Sequence, residues 1–352
     1  GVYVTWQDKR GGVDDDIYGT HVDANYNIIS PGSGVPIVVQ GGTQSAKSIE
    51  YAGNNEAFIC WSDSRQGENI DIYGQRLDVS MSPLFQENGI PIANSLDPET
   101  RPRTTFVNNT TSLVTWKYGD ESARILYQFV NNSGLVFAEA KPVSNFNAIQ
   151  TSPRVKRSSD GSVFISWKDL RFDPVDGDIF MQKVNPAGDA QWGDGIQVDL
   201  TEGVNFSGRF AANSIGGVDI FWEKGVVPDV DILFQSLDQN GTPQSNSPIV
   251  VSDEDGYQFA PNIMKGASDS VFVVYADQGS GSIDLKVSYF KGVSSLVEEG
   301  SLLAVKGLDG DIKYNVGFKN SDESIILMWE DNRESKKLYG NVLSEGELSH
   351  FN

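Results

Sequence analysis

Short apolar runs recur along this chain at near-even spacing. Each ends on an aromatic residue, and each is followed by a charged loop and then a segment of alternating character. Ala57-Phe58-Ile59-Cys60-Trp61, Val163-Phe164-Ile165-Ser166-Trp167 and Ile325-Ile326-Leu327-Met328-Trp329 are the clearest runs. β-Branched and aromatic runs of this length suit a strand covered on both faces. The alternating partner is best seen in Asp71-Ile72-Tyr73-Gly74-Gln75-Arg76-Leu77-Asp78, which predicts a second strand. The terminal aromatic stands at Trp6, Trp61, Trp116, Trp167, Trp222, Tyr275 and Trp329, in steps of 55, 55, 51, 55, 53 and 54 residues.

Two further strands complete each unit. One precedes the apolar run and often opens at a proline (Pro102, Pro153, Pro261), where no ladder hydrogen bond is lost. The other is short and follows a glycine-containing turn, as in Gly89-Ile90-Pro91-Ile92 and Gly195-Ile196-Gln197-Val198. No segment has a helical period. Four short strands in each repeat of about 50 residues predict an all-β fold, a seven-bladed β-propeller of four-stranded antiparallel blades. The spacing predicts one domain over 1–352, with blades at 1–41, 42–96, 97–147, 148–202, 203–254, 255–308 and 309–352. Blade one opens inside its second strand and blade seven lacks its fourth. The expectation is therefore a piece of a longer chain with an open seam.

Composition narrows the partners. The 352 residues carry a net charge of −21, a field that repels nucleic acid and anionic membranes. No apolar run reaches the roughly 18 residues of a membrane-spanning helix, so neither nucleic-acid binding nor direct membrane insertion is expected. The single cysteine, Cys60, excludes a disulfide framework. Only two histidines, His21 and His350, are present, and neither has an evident catalytic partner in the sequence.

Candidate functional residues divide by whether they repeat. One aromatic per blade reads as packing between blades. The Trp-x-Asp-x-Arg element recurs around Asp8, Asp63, Asp169 and Asp331; an acid needed four times is structural, capping loop amides or pairing with the nearby arginine. Asp173, Asp176 and Asp178 flank a glycine turn and are the candidate ligands for Ca2+, which gathers six to eight oxygens. Asp14-Asp15-Asp16 is a second acidic cluster. Aligned at the proline of the first strand, the next position reads Lys47, Arg103, Arg154 and Arg209 in four successive blades. A cationic arc at the mouth of a central channel is expected there, suited to carboxylate, sulfate or phosphate.

The composite pattern, Trp-x-Asp-x-Arg, then Asp-Ile-Tyr-x-Gln, then Asn-Gly-Ile-x-Ile, resembles propeller-like repeats of large secreted bacterial proteins, many exported by the type IX route. That resemblance spans the chain and is best in Trp61 to Ile92 and Trp167 to Val198. It implies an extracellular or cell-surface setting, with neighbouring domains and a sorting segment. With no unique catalytic constellation in view, the leading expectation is a non-enzymatic binding or scaffold module. It would hold a protein or glycan partner at the channel mouth or the open seam. A glycan-active enzyme, hydrolase or lyase, with an arginine-lined site is the alternative. A structural subunit completed at its seam by a partner strand is the third reading.

Overall fold

Each apolar run forms the second strand of an antiparallel meander, where β-branched and aromatic side chains fit a pleat covered on both faces. The computed structural model describes residues 1–344 apart from 26, 68, 202, 206, 207, 253, 266–269, 280–281, 292–296, 309–313, 319–323 and 332–336. Among the described residues the regular elements are all strands, and they form seven successive meanders.

The first meander is β1 (Val2–Asp8), β2 (Asp16–Val22) and β3 (Val35–Val38). The second is β4 (Gln44–Gly53), β5 (Glu56–Asp63), β6 (Asp71–Leu77) and β7 (Ile90–Ala93). The third is β8 (Glu99–Asn108), β9 (Thr111–Tyr118) and β10 (Arg124–Asn131), with β11 (Gly134–Leu135) and β12 (Lys141–Pro142) both on β10. The fourth is β13 (Gln150–Arg157), β14 (Val163–Asp169), β15 (Asp178–Val184) and β16 (Ile196–Gln197). The fifth is β17 (Arg209–Ala212), β18 (Val218–Val226), β19 (Asp229–Leu237) and β20 (Ile249–Ser252). The sixth is β21 (Tyr257–Lys265), β22 (Val271–Gln278), β23 (Ile283–Lys291) and β24 (Val297–Leu308), joined to the fifth by one parallel bridge, Val230↔Tyr257. The seventh is β25 (Tyr314–Phe318), β26 (Ser324–Asp331) and β27 (Lys337–Ser344). The fold is all-β and propeller-like, as the repeat predicts.

The chain divides into two compact units, residues 1–175 with 180–196, and residues 176–179 with 197–352. In the first unit the cores lie between successive meanders. Trp61 and Ile59 of β5 pack with Ile17 and Val38 of the first meander, while Cys60 and Phe58 pack with Trp116 and Val114 of β9. Leu113 then packs with Ile165 and Trp167 of β14. Period-two alternation thus sends the repeat aromatic back to the preceding meander and its neighbour forward to the next. In the second unit Phe221 and Phe234 share a cluster with Val273 and Tyr275. Of the repeat aromatics, Trp61, Trp116, Trp167, Trp222 and Tyr275 are buried, and Trp6 and Trp329 are half-buried.

The Asn-Gly-Ile pattern has a steric reason. Gly89 adopts φ +83°, and a Cβ there would stand 2.5 Å from Cη2 of Trp61 and 2.8 Å from the Gly74 carbonyl oxygen. Gly195 meets Trp167 in the same way at 2.5 Å, and Gly34 meets Trp6. The turn glycine is the socket for the indole. Gly89→Ala adds a clash to a left-handed backbone and is expected to cost about 2–4 kcal/mol. Denaturant unfolding checks this, and a loss below about 1 kcal/mol would show that the ring has room to move.

Candidate functional site

The Trp-x-Asp-x-Arg element closes into a clasp. In β14, Asp169 is fully buried and accepts from Trp167 Nε1 at 2.8 Å and from the Arg171 backbone N–H at 3.0 Å. It also accepts from Arg171 Nε at 2.9 Å and Nη2 at 2.7 Å. The Arg171 guanidinium lies over Phe180 at 4.1 Å and Phe146 at 4.6 Å. Asp63 takes the indole of Trp61 at 2.7 Å and Arg65 Nη2 at 2.6 Å, with Arg65 over Tyr73 at 3.9 Å. Asp8, Trp6 and Arg10 repeat the arrangement, and Arg10 holds the Asp8 carboxyl well below the usual carboxylate range. Each carboxylate is spent on its own loop and is unavailable for chemistry. Arg333 of the fourth copy lies outside the described residues.

A second polar position faces the clasp from the first strand. Gln44 stands opposite Asp63, Gln150 opposite Asp169 and Gln258 opposite Asp277. Gln150 and Gln258 each donate from Nε2 to the facing aspartate at 3.2 Å. In the third meander a carboxyl takes the amide's place: Glu99 stands opposite Tyr118. Glu99 is buried; Oε1 accepts from the Ser95 backbone N–H at 3.1 Å, and Oε2 has no hydrogen-bond partner among the described residues. Burial raises its pKa, and the charges of Asp71 and Asp97 add to this.

A carboxyl whose folded pKa is raised favours the fold while it is protonated. That contribution is lost as pH rises from the unfolded carboxylate range through the folded pKa. Glu99→Gln restores the amide of the other meanders and is expected to stabilise the protein above that window by about 1–3 kcal/mol. Melting curves of parent and variant should converge as pH falls below it. A pH-independent difference would mean that Glu99 is not carrying the proton.

The cations gather on the first strands. β4 lies beside β8, and β8 beside β13; Ser48 Oγ accepts from the Thr104 backbone N–H at 3.2 Å, and Arg101 Nη1 stands 3.5 Å from Ser152 Oγ. Each strand carries a bulge, between Ser45 and Ser48, Thr100 and Arg103, and Thr151 and Arg154. Arg101 and Ser152 occupy the bulges at φ +57°. Such bulges re-aim the side chains that follow. Arg103 and Arg154 pair with Thr115 and Ser166, each one residue before the repeat tryptophan; the matching pair in the second meander is Ser48 with Cys60.

Lys47 therefore does not share the arginine position. It takes the place of the bulge proline, and Ser48 takes the place of the arginine. The sequence alignment slipped by one residue because no proline marks the bulge in β4. Arg209 pairs with Phe221 at the matched position, in the second unit.

Arg103 is half-buried, and among the described residues its Nη1 donates only to the Pro102 carbonyl at 2.9 Å. Burial lowers its pKa, and the charge of Arg101 lowers it further. Among the described residues no carboxylate forms an ion pair with Arg103 or with Lys47. Lys47 is likewise lowered by burial, against the pull of Asp15. Arg154 and Arg209 are half-buried and held by interactions of their own.

The candidate calcium ligands each have interactions of their own. Among the described residues no group of three or more His, Cys, Asp or Glu side chains is placed to hold a metal ion. Asp173 instead caps its own turn, accepting from the Val175 backbone N–H at 3.0 Å. Buried Asp178 stands 3.5 Å from Asn205 Nδ2, and Asp176 also has an interaction of its own. In the first meander, Asp14 and Asp16 line a glycine-rich groove with Gly11, Gly12, Val39 and Gly41. Asp14 accepts there from the Gly42 backbone N–H at 3.1 Å.

These features define an all-β propeller-like protein with a cationic strand face, and solved structures share that fold. The structure of a polysaccharide lyase of the PL25 ulvan lyase family superposes with a TM-score of 0.60 at 11% identity, covering 97% of this chain and 89% of that one. Polysaccharide lyase Uly1 gives 0.58 at 11% identity, covering 97% and 88%. A protein of unknown function from Dyadobacter fermentans DSM 18053 gives 0.50 at 10% identity, covering 86% and 94%. No protein-family model and no curated protein matches the chain. The expectation of a non-enzymatic scaffold is overturned by these comparisons, because the fold is shared over nearly the whole chain with enzymes that act on polysaccharides.

Proposed function

We propose that this protein is a glycan-active enzyme that cleaves an acidic, uronate-bearing polysaccharide by β-elimination. The observation that carries the reading is Arg103, a half-buried guanidinium with no carboxylate partner among the described residues of a chain of net charge −21. A desolvated cation left unpaired is costly, and a bound anion offsets that cost. The planar fork of arginine matches a carboxylate in a bidentate arrangement. Neutralising a uronate carboxylate also acidifies the adjacent C–H bond, the first requirement of elimination. The fold shared with an ulvan lyase, which has also been solved bound to -[GlcA(1-4)Rha3S]-, supports this choice over a plain binding module.

The test is a panel of uronate-bearing and neutral polysaccharides, followed by ultraviolet absorbance and by reducing-end release. New absorbance from a conjugated double bond on uronate polymers alone is the expected result. Reducing ends without absorbance would replace elimination by hydrolysis. No product from any uronate polymer would overturn the reading.

A further inference from the structure

One two-residue step along β4, β8 and β13 from Ser48, Arg103 and Arg154 lies a second row, Glu50, Thr105 and Lys156. They stand opposite Phe58, Leu113 and Phe164, each three residues before the repeat tryptophan. A step of two strand residues is about 7 Å, and it returns the side chain to the same face. The first row therefore presents guanidinium groups, and the second a carboxylate and an ammonium, on three strands that lie side by side.

Glu50 is not required by the repeat. Matched positions in the other meanders hold Thr105, Lys156, Ala211 and Met264. It is half-buried, and among the described residues it makes no hydrogen bond or ion pair. Burial pushes its carboxyl up, with the charge of Lys156 pulling the other way. The other acids on strands packed against β4 are already engaged: Asp8 by Arg10, Asp63 by Arg65 and Glu56 by Arg76. Asp16 accepts from the Gln40 backbone N–H, and Glu99 faces Tyr118 on β9. The cations of this face are Arg154 and Lys156 on β13 and Arg103 on β8; Lys47 lies in the bulge of β4, one residue out of the row.

We propose that Glu50 is the proton acceptor of the cleavage site and that Lys156 is the proton donor; this rests on the reading of the protein as a uronate-polymer lyase. Glu50 removes the C5 proton of the uronate whose carboxylate Arg103 holds. The C–H electron pair becomes the C4=C5 double bond as the C4–O bond breaks. The departing oxygen takes a proton from the Lys156 ammonium, and proton exchange with water resets both groups. The step balances without an oxidant or a metal. A carboxyl raised toward the working pH suits proton transfer better than an ordinary one.

The experiment uses a uronate polymer that the parent cleaves, with Glu50→Gln, Glu50→Asp and Lys156→Met. Glu50→Gln is expected to lower kcat by about 100-fold or more, with KM within about threefold and the melting temperature kept. Glu50→Asp should recover part of kcat, and the acid limb of its pH profile should move. Lys156→Met is expected to lower kcat about tenfold or more, with the melting temperature kept. If the parent cleaves the polymer while Glu50→Gln keeps kcat within about threefold, or changes KM alone, the proton-transfer role is overturned and the lyase reading stands. If the parent cleaves no uronate polymer, the lyase reading falls and takes this assignment with it.

Discussion

Replacing Asp169 with alanine is expected to remove about 3–5 kcal/mol of stability, the largest loss of any single clasp substitution. The carboxylate is fully buried and receives the Trp167 indole, the Arg171 backbone N–H, two guanidinium N–H groups and the Gln150 amide. Alanine leaves the Arg171 guanidinium, whose side chain is 5% exposed, without its counter-charge. Removing one partner of a buried ion pair costs far more than the pair contributes. Asp169→Asn keeps the shape and one acceptor, and should fall between parent and alanine variant. Chemical denaturation of the three proteins decides it. A loss below about 1 kcal/mol for Asp169→Ala would mean that water or another acceptor reaches the guanidinium.

Arg103→Ala is expected to leave the fold intact and to lower kcat/KM on a uronate polymer about 10²–10³-fold. That corresponds to roughly 3–4 kcal/mol of lost transition-state stabilisation, within the range for truncating a desolvated charge that faces an opposite one. The fold tolerates the change because no carboxylate of the described chain depends on Arg103. Arg103→Lys keeps the charge but loses the fork, and should recover only part of the loss. Steady-state kinetics alongside thermal melts separate the two effects. Equal kcat/KM in parent and Arg103→Ala would remove Arg103 from the site.

Strand order and core were legible in the sequence because both follow from periodicity. Trp61, Trp116 and Trp167 mark their strands, and period two then places Cys60 and Leu113 on the opposite faces. The first strands were less legible. A bulge inserts a residue without changing composition, so proline marks the register in β8 and β13, whereas β4 has no proline and Lys47 occupies its place. Glu99 was findable: Gln44, Glu99, Gln150 and Gln258 recur at repeat spacing, and one carboxyl among amides is a visible exception. The repeating acids of the Trp-x-Asp-x-Arg element mask it, whereas the informative acid is the one that does not repeat. Glu50 carries no signal of its own. Its interest comes from Lys156 two strands away, a neighbour that only the packing of β4, β8 and β13 supplies.

The clasps also make the chain self-reporting. An indole's spectrum depends on what its ring nitrogen meets, and here those surroundings differ from blade to blade. Trp6, Trp61 and Trp167 donate to carboxylates and Trp222 to the Asn205 amide oxygen, while Trp116 Nε1 has no hydrogen-bond partner among the described residues. Trp192 alone lies off the repeat, packed on Phe164 at 5.6 Å. Protein grown on fluorotryptophan would give a separate fluorine resonance for each blade that holds an indole. The order in which those blades loosen on heating, or tighten on binding a glycan, could then be followed one blade at a time with no attached label.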